Sequence, residues 1–216
     1  SNTLPPLVEP SGEITGEQHI LSLGLLDDAT STHCGNVSTT LTLTSNVSST
    51  GMCFNITASN IILDCAGWNV TYDSAYGSSN FGGVDNTAGY DNITIRNCLF
   101  FDQSADVNFG KPAISMTDAS NITIFNVTIN TTKILAIGIS FTRVNNSHIA
   151  NNTIITVESN AIQLSTSLFN HIDNNTIDTK RGGISLATSS NNNSFFNNKI
   201  TLGVGASSST GSGIDF

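Results

Sequence analysis

Apolar and polar residues alternate with a period of two in short segments that recur along the chain. From Asn92 to Phe216 the pattern returns about every 23 to 29 residues. Period two predicts β-strands with one buried face, and no copy has the apolar stripe of a helix. The first strand of each copy ends at an asparagine: Ile93-Thr-Ile-Arg-Asn97, Ile122-Thr-Ile-Phe-Asn126, Ser147-His-Ile-Ala-Asn151, Asn170-His-Ile-Asp-Asn174 and Asn193-Ser-Phe-Phe-Asn197.

A second alternating strand follows in each copy. These strands are Ala113-Ile-Ser-Met116, Ala136-Ile-Gly-Ile139, Ala161-Ile-Gln-Leu164, Gly183-Ile-Ser-Leu186 and Gly213-Ile-Asp-Phe216. A unit this short cannot bury its apolar face alone, whereas stacked coils share a continuous core. We therefore predict an all-β solenoid, a right-handed single-stranded parallel β-helix, because the strands of a β-sandwich would not keep identical side chains in register.

Two apolar columns are predicted to stack inside the coils. The first is Leu63, Ile95, Ile124, Ile149, Ile172 and Phe195, and the second is Phe100, Ile129, Ile154, Ile177 and Ile200. A polar column follows the first strand and predicts an asparagine ladder: Asp64, Asn97, Asn126, Asn151, Asn174 and Asn197. Amides stacked at about 4.8 Å can bond to each other, and asparagine tolerates the left-handed backbone of tight turns.

The repeat divides the chain into two predicted regions. Residues 1–38 do not fit the repeat and are expected to form an N-terminal extension that caps the first coil. Residues 39–216 are expected to form the β-helix. Phe216 falls within a second strand, so the natural protein is expected to continue beyond it.

Four cysteines refine this picture. Cys65 and Cys98 each follow a residue of the ladder column, which places them on adjacent coils within reach of a disulfide. Cys34 and Cys53 then pair by elimination. Disulfides imply an extracellular or cell-surface location, and four reduced thiols in a cytosolic protein are the alternative.

The charge of the chain limits its partners. The 216 residues include 7 Lys and Arg against 16 Asp and Glu, a net charge of −9. This balance argues against nucleic acid and anionic membranes as partners. No stretch approaches the roughly 20 apolar residues of a membrane span, so no direct membrane insertion is predicted in this segment.

The motif Asn60-Ile-Ile-Leu-Asp-Cys-Ala-Gly-Trp68, with later repeats of the form Ser-Asn-Ile-Thr-Ile-x-Asn, resembles a known superfamily. It is similar to the parallel β-helix repeats of the pectate-lyase-like superfamily, and most similar to NosD-like surface proteins of archaea and bacteria. The resemblance covers roughly residues 39–216. It implies the fold but not an activity, because this superfamily includes lyases, hydrolases, epimerases, tailspikes and adhesins.

No catalytic residue is predicted. The acidic cluster with a basic partner that the resemblance implies for a lyase is not evident, and neither are the facing carboxylates of a glycoside hydrolase. We therefore expect a non-catalytic stalk or adhesin that contacts a glycan or another surface protein. A polysaccharide lyase or glycoside hydrolase is one alternative, and a self-assembling fibre joined through the coil ends is another.

The extra residues of the longer copies enter between the first and second strands, and such insertions gather on the functional side of solenoids. They bring together aromatic and charged candidates for ligand binding: Tyr72, Asp73, Tyr76, Asp85, Tyr90, Phe101, Asp102, Asp106, Phe109 and Lys111. Aromatic rings and carboxylates suit a sugar, and the carboxylates could hold calcium, although no cofactor is required. Alternatively, the aromatic side chains pack beneath the loops.

Two further groups are weaker candidates. His148 and His171 lie in one outward column with Asp173 on the same face, an arrangement that could hold a metal, although surface imidazoles are the simpler interpretation. Sequons outside the ladder predict possible glycosylation at Asn36, Asn46, Asn55, Asn69 and Asn130.

Overall fold

The computed structural model describes residues 29–74, 82–103, 110–134, 136–203 and 212–215. All secondary-structure elements in these ranges are β-strands, and they form three parallel sheets that we name A, B and C. From β3 (Leu41–Leu43) onward the chain passes through sheet A, then sheet C, then sheet B in every coil. The expected parallel β-helix is therefore confirmed.

The strands of each sheet lie in sequence order along the axis. Sheet A contains β1 (Ala29–Ser31), β3 (Leu41–Leu43), β6 (Ile61–Asp64), β9 (Ile93–Arg96), β12 (Thr123–Phe125), β15 (His148–Ala150), β18 (His171–Asp173) and β21 (Ser194–Phe196). Sheet C contains β4 (Val47–Ser48), β7 (Asn69–Tyr72), β10 (Leu99–Asp102), β13 (Thr128–Ile134), β16 (Thr153–Glu158), β19 (Thr176–Thr179) and β22 (Lys199–Leu202). Sheet B contains β2 (Gly35–Val37), β5 (Phe54–Ile56), β8 (Val84–Asn86), β11 (Ile114–Thr117), β14 (Ile139–Thr142), β17 (Asn160–Ser165), β20 (Gly182–Ala187) and β23 (Ser212–Asp215).

Both predicted apolar columns lie inside the coils. Leu63 pairs with Ile95 and Ile95 with Ile124 in sheet A, and all three side chains are fully buried. The column of Phe100 stacks in the same way in sheet C. Because successive side chains of a strand point to opposite faces, period two in the sequence fixes which residues face inward.

One second strand pairs in a register two residues later than the pattern predicts. Ile114 of β11 pairs with Ile139, so the second strand of the second copy is Ile139–Thr142 rather than Ala136-Ile-Gly-Ile139. Gly138 precedes β14, and a Cβ there would lie 2.5 Å from the Ala161 carbonyl oxygen of the next coil. A shift of two keeps every side chain on the same face, so alternation alone cannot detect it.

The described β-helix begins earlier than residue 39. β1 pairs with β3 in sheet A, and β2 pairs with β5 in sheet B. Residues 29–37 therefore contribute to the first coils rather than to a separate extension. Residues 1–28 of the predicted cap lie outside the described residues.

Both predicted disulfides are confirmed. Cys34 and Cys53 have a Cα–Cα distance of 4.6 Å, and Cys65 and Cys98 have one of 4.7 Å. These distances equal the spacing of adjacent coils, so bonding requires no distortion of the sheets.

The predicted ladder column lies at the corner where sheet A turns into sheet C. Its five asparagines all have left-handed backbone angles, with φ between 51° and 55°. In the coils nearer the N-terminus the amides form the expected hydrogen bonds. The Asn97 Nδ2 donates to Asp64 (3.0 Å), and the Asn126 Nδ2 donates to Asn97 (2.8 Å).

In the coils nearer the C-terminus, the amide hydrogen bonds between coils are formed by the residue after each predicted ladder position. The ladder therefore differs from the prediction at Asn151, Asn174 and Asn197. The amides that bond between coils there are Asn152, Asn175 and Asn198. Asn152 and Asn175 are 1% exposed, whereas Asn151 and Asn174 are exposed. The side chain that follows each left-handed residue points inward. The interior column of Asn152 and Asn175 is therefore occupied by Cys98 and Val127 in the preceding coils.

Candidate functional site

A cleft on the outer face of sheet B contains two of the predicted ligand-binding residues, Asp85 and Lys111. Its volume is about 480 Å³. The lining residues are Met52, Gly82, Asp85, Thr87, Lys111, Pro112 and Ser115. Volumes of about 300–1,000 Å³ are usual for small-ligand sites, so this cleft is large enough for a small ligand. We name it the sheet B cleft.

The charged groups of the cleft come from two coils. Asp85 is the central residue of β8, and its Oδ2 accepts hydrogen bonds from the Thr87 hydroxyl (2.8 Å) and the Thr87 N–H (3.4 Å). Lys111 is exposed and lies just before β11. The cleft therefore offers a partly oriented carboxylate and an ammonium group, which can hydrogen-bond to the hydroxyls of a sugar.

The cleft lies on a polar column that follows sheet B along its axis. Pairing of the strands places the following outward-facing residues in register: Asn36, Asn55, Asp85, Ser115, Ser140, Gln163, Ser185 and Asp215. Every member has a hydrogen-bonding side chain. Strands lie about 4.8 Å apart, so the column extends for about 34 Å, a length that suits an extended chain rather than a single small molecule.

Three of the predicted ligand-binding residues are buried instead. Tyr72, Asp73 and Asp102 are 0%, 2% and 5% exposed. Tyr72 pairs with Asp102 in sheet C, and both side chains point inward. Tyr72 is therefore buried within the coil, and the two carboxylates, which the alternative of packed aromatic side chains did not include, are buried as well. The inward face of sheet C extends one residue beyond the apolar pattern, to Tyr72 and Asp102.

The Tyr72 hydroxyl has no hydrogen-bond partner among the described residues. Burial, with the nearby carboxylates of Asp102 and Asp73, raises the pKa of Tyr72 well above its ordinary value, so the phenol is neutral. A buried hydroxyl without a partner costs about 1–3 kcal/mol of desolvation.

We expect Tyr72→Phe to raise the free energy of unfolding by about 1 kcal/mol, because it removes this unsatisfied hydroxyl and keeps the ring. Urea denaturation followed by circular dichroism measures the change. The matched control is Tyr90→Phe, at a half-buried tyrosine, for which we expect little change. A clear loss of stability in Tyr72→Phe would contradict the prediction.

The other predicted residues are dispersed. Tyr90 packs against the core, and its main chain is held by two hydrogen bonds with the Asn86 amide, of 2.8 and 3.0 Å. Phe101 faces outward on sheet C between Thr71 and Asn130. Tyr76, Asp106 and Phe109 lie outside the described residues. Of the seven candidates that the structure describes, Asp85 and Lys111 are the two that line the sheet B cleft.

Five lining residues of the cleft were not predicted from the sequence: Met52, Gly82, Thr87, Pro112 and Ser115. Ser115 was detectable, since it is the outward polar residue of a predicted second strand. No sequence pattern indicated Met52, because its position depends on the path of the chain into β5.

The histidine candidates lie in register on the outer face of sheet A. His148 pairs with His171, and the ring centroids are 6.4 Å apart in an edge-to-face arrangement. The His148 Nε2 contacts the Asp173 carboxylate, while the His171 Nδ1 lies 2.6 Å from the Ser194 hydroxyl. In the described part of the chain no group of three or more His, Cys, Asp or Glu side chains is arranged to hold a metal.

The same face carries an ion pair between Arg96 and Asp64, 2.8 Å apart. Burial alone would raise the pKa of Asp64, but hydrogen bonds from Asn97, from the Ala66 N–H and from Arg96 outweigh it and lower this pKa. Asp64 therefore stays ionised and anchors both the ladder and the adjacent turn.

The predicted glycosylation sites lie on the outside of the coils. Asn36 and Asn46 are exposed, while Asn55, Asn69 and Asn130 are partly exposed. Asn55 donates a hydrogen bond to Asn36 (3.1 Å), and the Asn46 side chain accepts one from the Asn69 N–H (2.9 Å). Glycosylation of these residues stays a prediction.

The architecture defines an all-β solenoid with a polar outer face. Residues 86–216, more than half of the chain, match the model of the family described as right handed beta helix region, so the chain belongs to this family. No curated protein and no solved structure matches the chain significantly. The described residues contain no helix with the length and apolar character needed to cross a membrane.

Proposed function

We propose that this chain is an extracellular or cell-surface β-helix that serves as a stalk or adhesin and binds glycans along sheet B. Two disulfides and the β-helix fold are compatible with an extracellular protein. The observation that supports glycan binding best is the position of the sheet B cleft on a continuous column of amide, hydroxyl and carboxylate side chains.

The chemistry of this face suits a polyhydroxylated chain. Asp85 accepts hydrogen bonds, Lys111 donates them, and hydroxyls such as Ser115 do both. Since the column repeats these groups at about 4.8 Å, successive sugars of one polysaccharide could contact successive coils. Asp85 and main-chain carbonyl groups are also hard oxygen ligands, so calcium could assist binding.

Glycoside hydrolysis is the alternative use of such a cleft, and it needs two carboxylates about 5–10 Å apart. Asp85 is the one carboxylate among the described lining residues. A lyase would need a base, for which Lys111 is the candidate. Binding without turnover needs neither arrangement, and it is therefore our preferred function.

The test is incubation with a panel of surface polysaccharides, with and without calcium, recording retention and chain cleavage on the same samples. We expect retention without cleavage. Asp85→Ala and Lys111→Ala should each weaken retention about tenfold, because each removes a hydrogen bond to a charged group worth about 1.5–3 kcal/mol.

Matched controls come from sheet C. Asp178→Ala and Lys199→Ala remove the same side chains from exposed strand positions away from the cleft, and they should leave retention unchanged. Equal effects at both places would contradict the assignment of the site. Cleavage would replace the adhesin function with that of a carbohydrate-active enzyme.

A further inference from the structure

A groove on another face lies at the corner where sheet A turns into sheet C. Its volume is about 400 Å³, within the usual range of small-ligand sites. The lining residues are Ala66, Gly67, Asn97, Leu99, Asn126 and Thr128. None of them is charged, and amide and hydroxyl groups alternate with apolar surface. We name it the corner groove.

One end of the corner groove is a ledge made by extra residues in a turn. Two residues connect β9 to β10, and two connect β12 to β13, but four connect β6 to β7. The added Ala66 and Gly67 have left-handed backbone angles, with φ of 49° and 84°, and both are exposed.

The ledge is held rigidly against the coil. The Gly67 N–H donates to the Asn97 carbonyl oxygen (2.7 Å), and the Ala66 N–H donates to the Asp64 carboxylate (2.8 Å). The adjacent Cys65 is bonded to Cys98 of the next coil. The groove is thus formed before any ligand arrives, which lowers the entropic cost of binding.

The floor presents unused hydrogen-bonding capacity. Asn97 and Asn126 each use one amide N–H in the ladder and keep a second. No described side chain donates to the Asn126 side-chain oxygen, because the next residue of the column, Asn151, does not continue the ladder. The Thr128 hydroxyl lies beside these groups. Donors and acceptors therefore recur at the spacing of the coils.

Two exposed aromatic residues adjoin lining residues of the groove in the sequence. Trp68 follows the ledge and is 40% exposed, and its carbonyl oxygen accepts a hydrogen bond from the Leu99 N–H (3.3 Å). Phe125 precedes Asn126 and is 41% exposed on sheet A. Exposed aromatic rings beside paired amides can cover the apolar face of a pyranose while the amides bind its hydroxyls.

We propose that the corner groove is a second binding site, specific for a neutral saccharide. Because the lining carries no charge, it offers no ion-pair partner to an acidic or basic ligand. Its amide and hydroxyl groups can form hydrogen bonds with adjacent hydroxyls of a sugar. This site is independent of the sheet B cleft, since no residue lines both.

Trp68 is the single tryptophan of the chain and directly follows Gly67 of the lining, so we use its fluorescence to follow binding at this groove. We would titrate the protein with methyl α-mannoside, methyl β-galactoside, N-acetylglucosamine and cellobiose, up to about ten times a millimolar Kd. We expect a saturable fluorescence change with at least one of them. Asn126→Gly should weaken that sugar about tenfold, because it removes the free amide groups and keeps the left-handed backbone accessible.

The matched control is Asn151→Gly, which makes the same change one coil away and outside the groove. The backbone is comparable, since φ is 55° at Asn151 and 52° at Asn126. It should bind like the unchanged protein. Thr128→Val, which keeps the β-branched shape, is the second test should Asn126→Gly fail to fold. Absence of saturation with all four sugars, or saturation that neither groove variant weakens, would overturn the proposal. Polysaccharide retention, which tests the sheet B cleft, is measured in a separate experiment.

Discussion

Asn175→Ala should lower the free energy of unfolding by about 3 kcal/mol or more. The Asn175 side chain is almost fully buried and bonds in both directions along the axis. Its oxygen accepts from the main chain and the side chain of Asn152 (both 3.0 Å), and its Nδ2 donates to the Ile149 carbonyl and to Asn198 (both 2.9 Å). Alanine leaves several buried partners unsatisfied, at about 1–3 kcal/mol each.

Urea denaturation followed by circular dichroism measures this loss. The matched control is Asn174→Gly, which removes the neighbouring exposed amide and keeps its left-handed backbone allowed. We expect a change below about 1 kcal/mol there. Equal losses in the two variants would show that the interior amides do not stabilise the coils more than surface ones.

The second large effect concerns the Cys65–Cys98 disulfide. Its sequence separation is 33 residues, and the chain-entropy relation gives about 3–4 kcal/mol of stabilisation for a loop of that length. The double variant Cys65→Ala, Cys98→Ala should lose this amount. It should also weaken sugar binding at the corner groove, since the disulfide lies directly beneath the ledge.

A variant that lacks only the Cys34–Cys53 disulfide is the control. That disulfide spans 19 residues, so its removal should cost a similar amount of stability. It should leave the corner groove intact, because neither cysteine adjoins it. An unchanged fluorescence titration in the Cys65 and Cys98 variant would contradict the role of this disulfide in holding the ledge.

Function was less predictable than fold, and the reason is local. Strand parity decides whether a residue at the end of a strand points inward, and Tyr72 and Asp102 extend the inward column of sheet C by one position. Their aromatic and acidic character suggested a ligand site, whereas the coil uses them inside. The corner groove was also not predicted. It depends on the two extra residues between β6 and β7 and on the predicted ladder column ending its amide hydrogen bonds at Asn126.

Local alternation and the repeat length are sufficient to define the coil. Period two fixed the inward residues, the repeat fixed their register at Leu63, Ile95 and Ile124, and that register brought Cys65 next to Cys98. Such features depend only on local alternation and on stacking at a constant spacing.

Contacts between coils, in contrast, establish which amides form hydrogen bonds and where the surface is concave. The change of the ladder from Asn126 to Asn152, and the start of β14 at Ile139, both leave the alternation of apolar residues unaltered. The corner groove arises where turns of different length meet across neighbouring coils, and the sheet B cleft combines residues of three coils. Their shape is a property of contacts between coils, which a pattern within one coil does not contain.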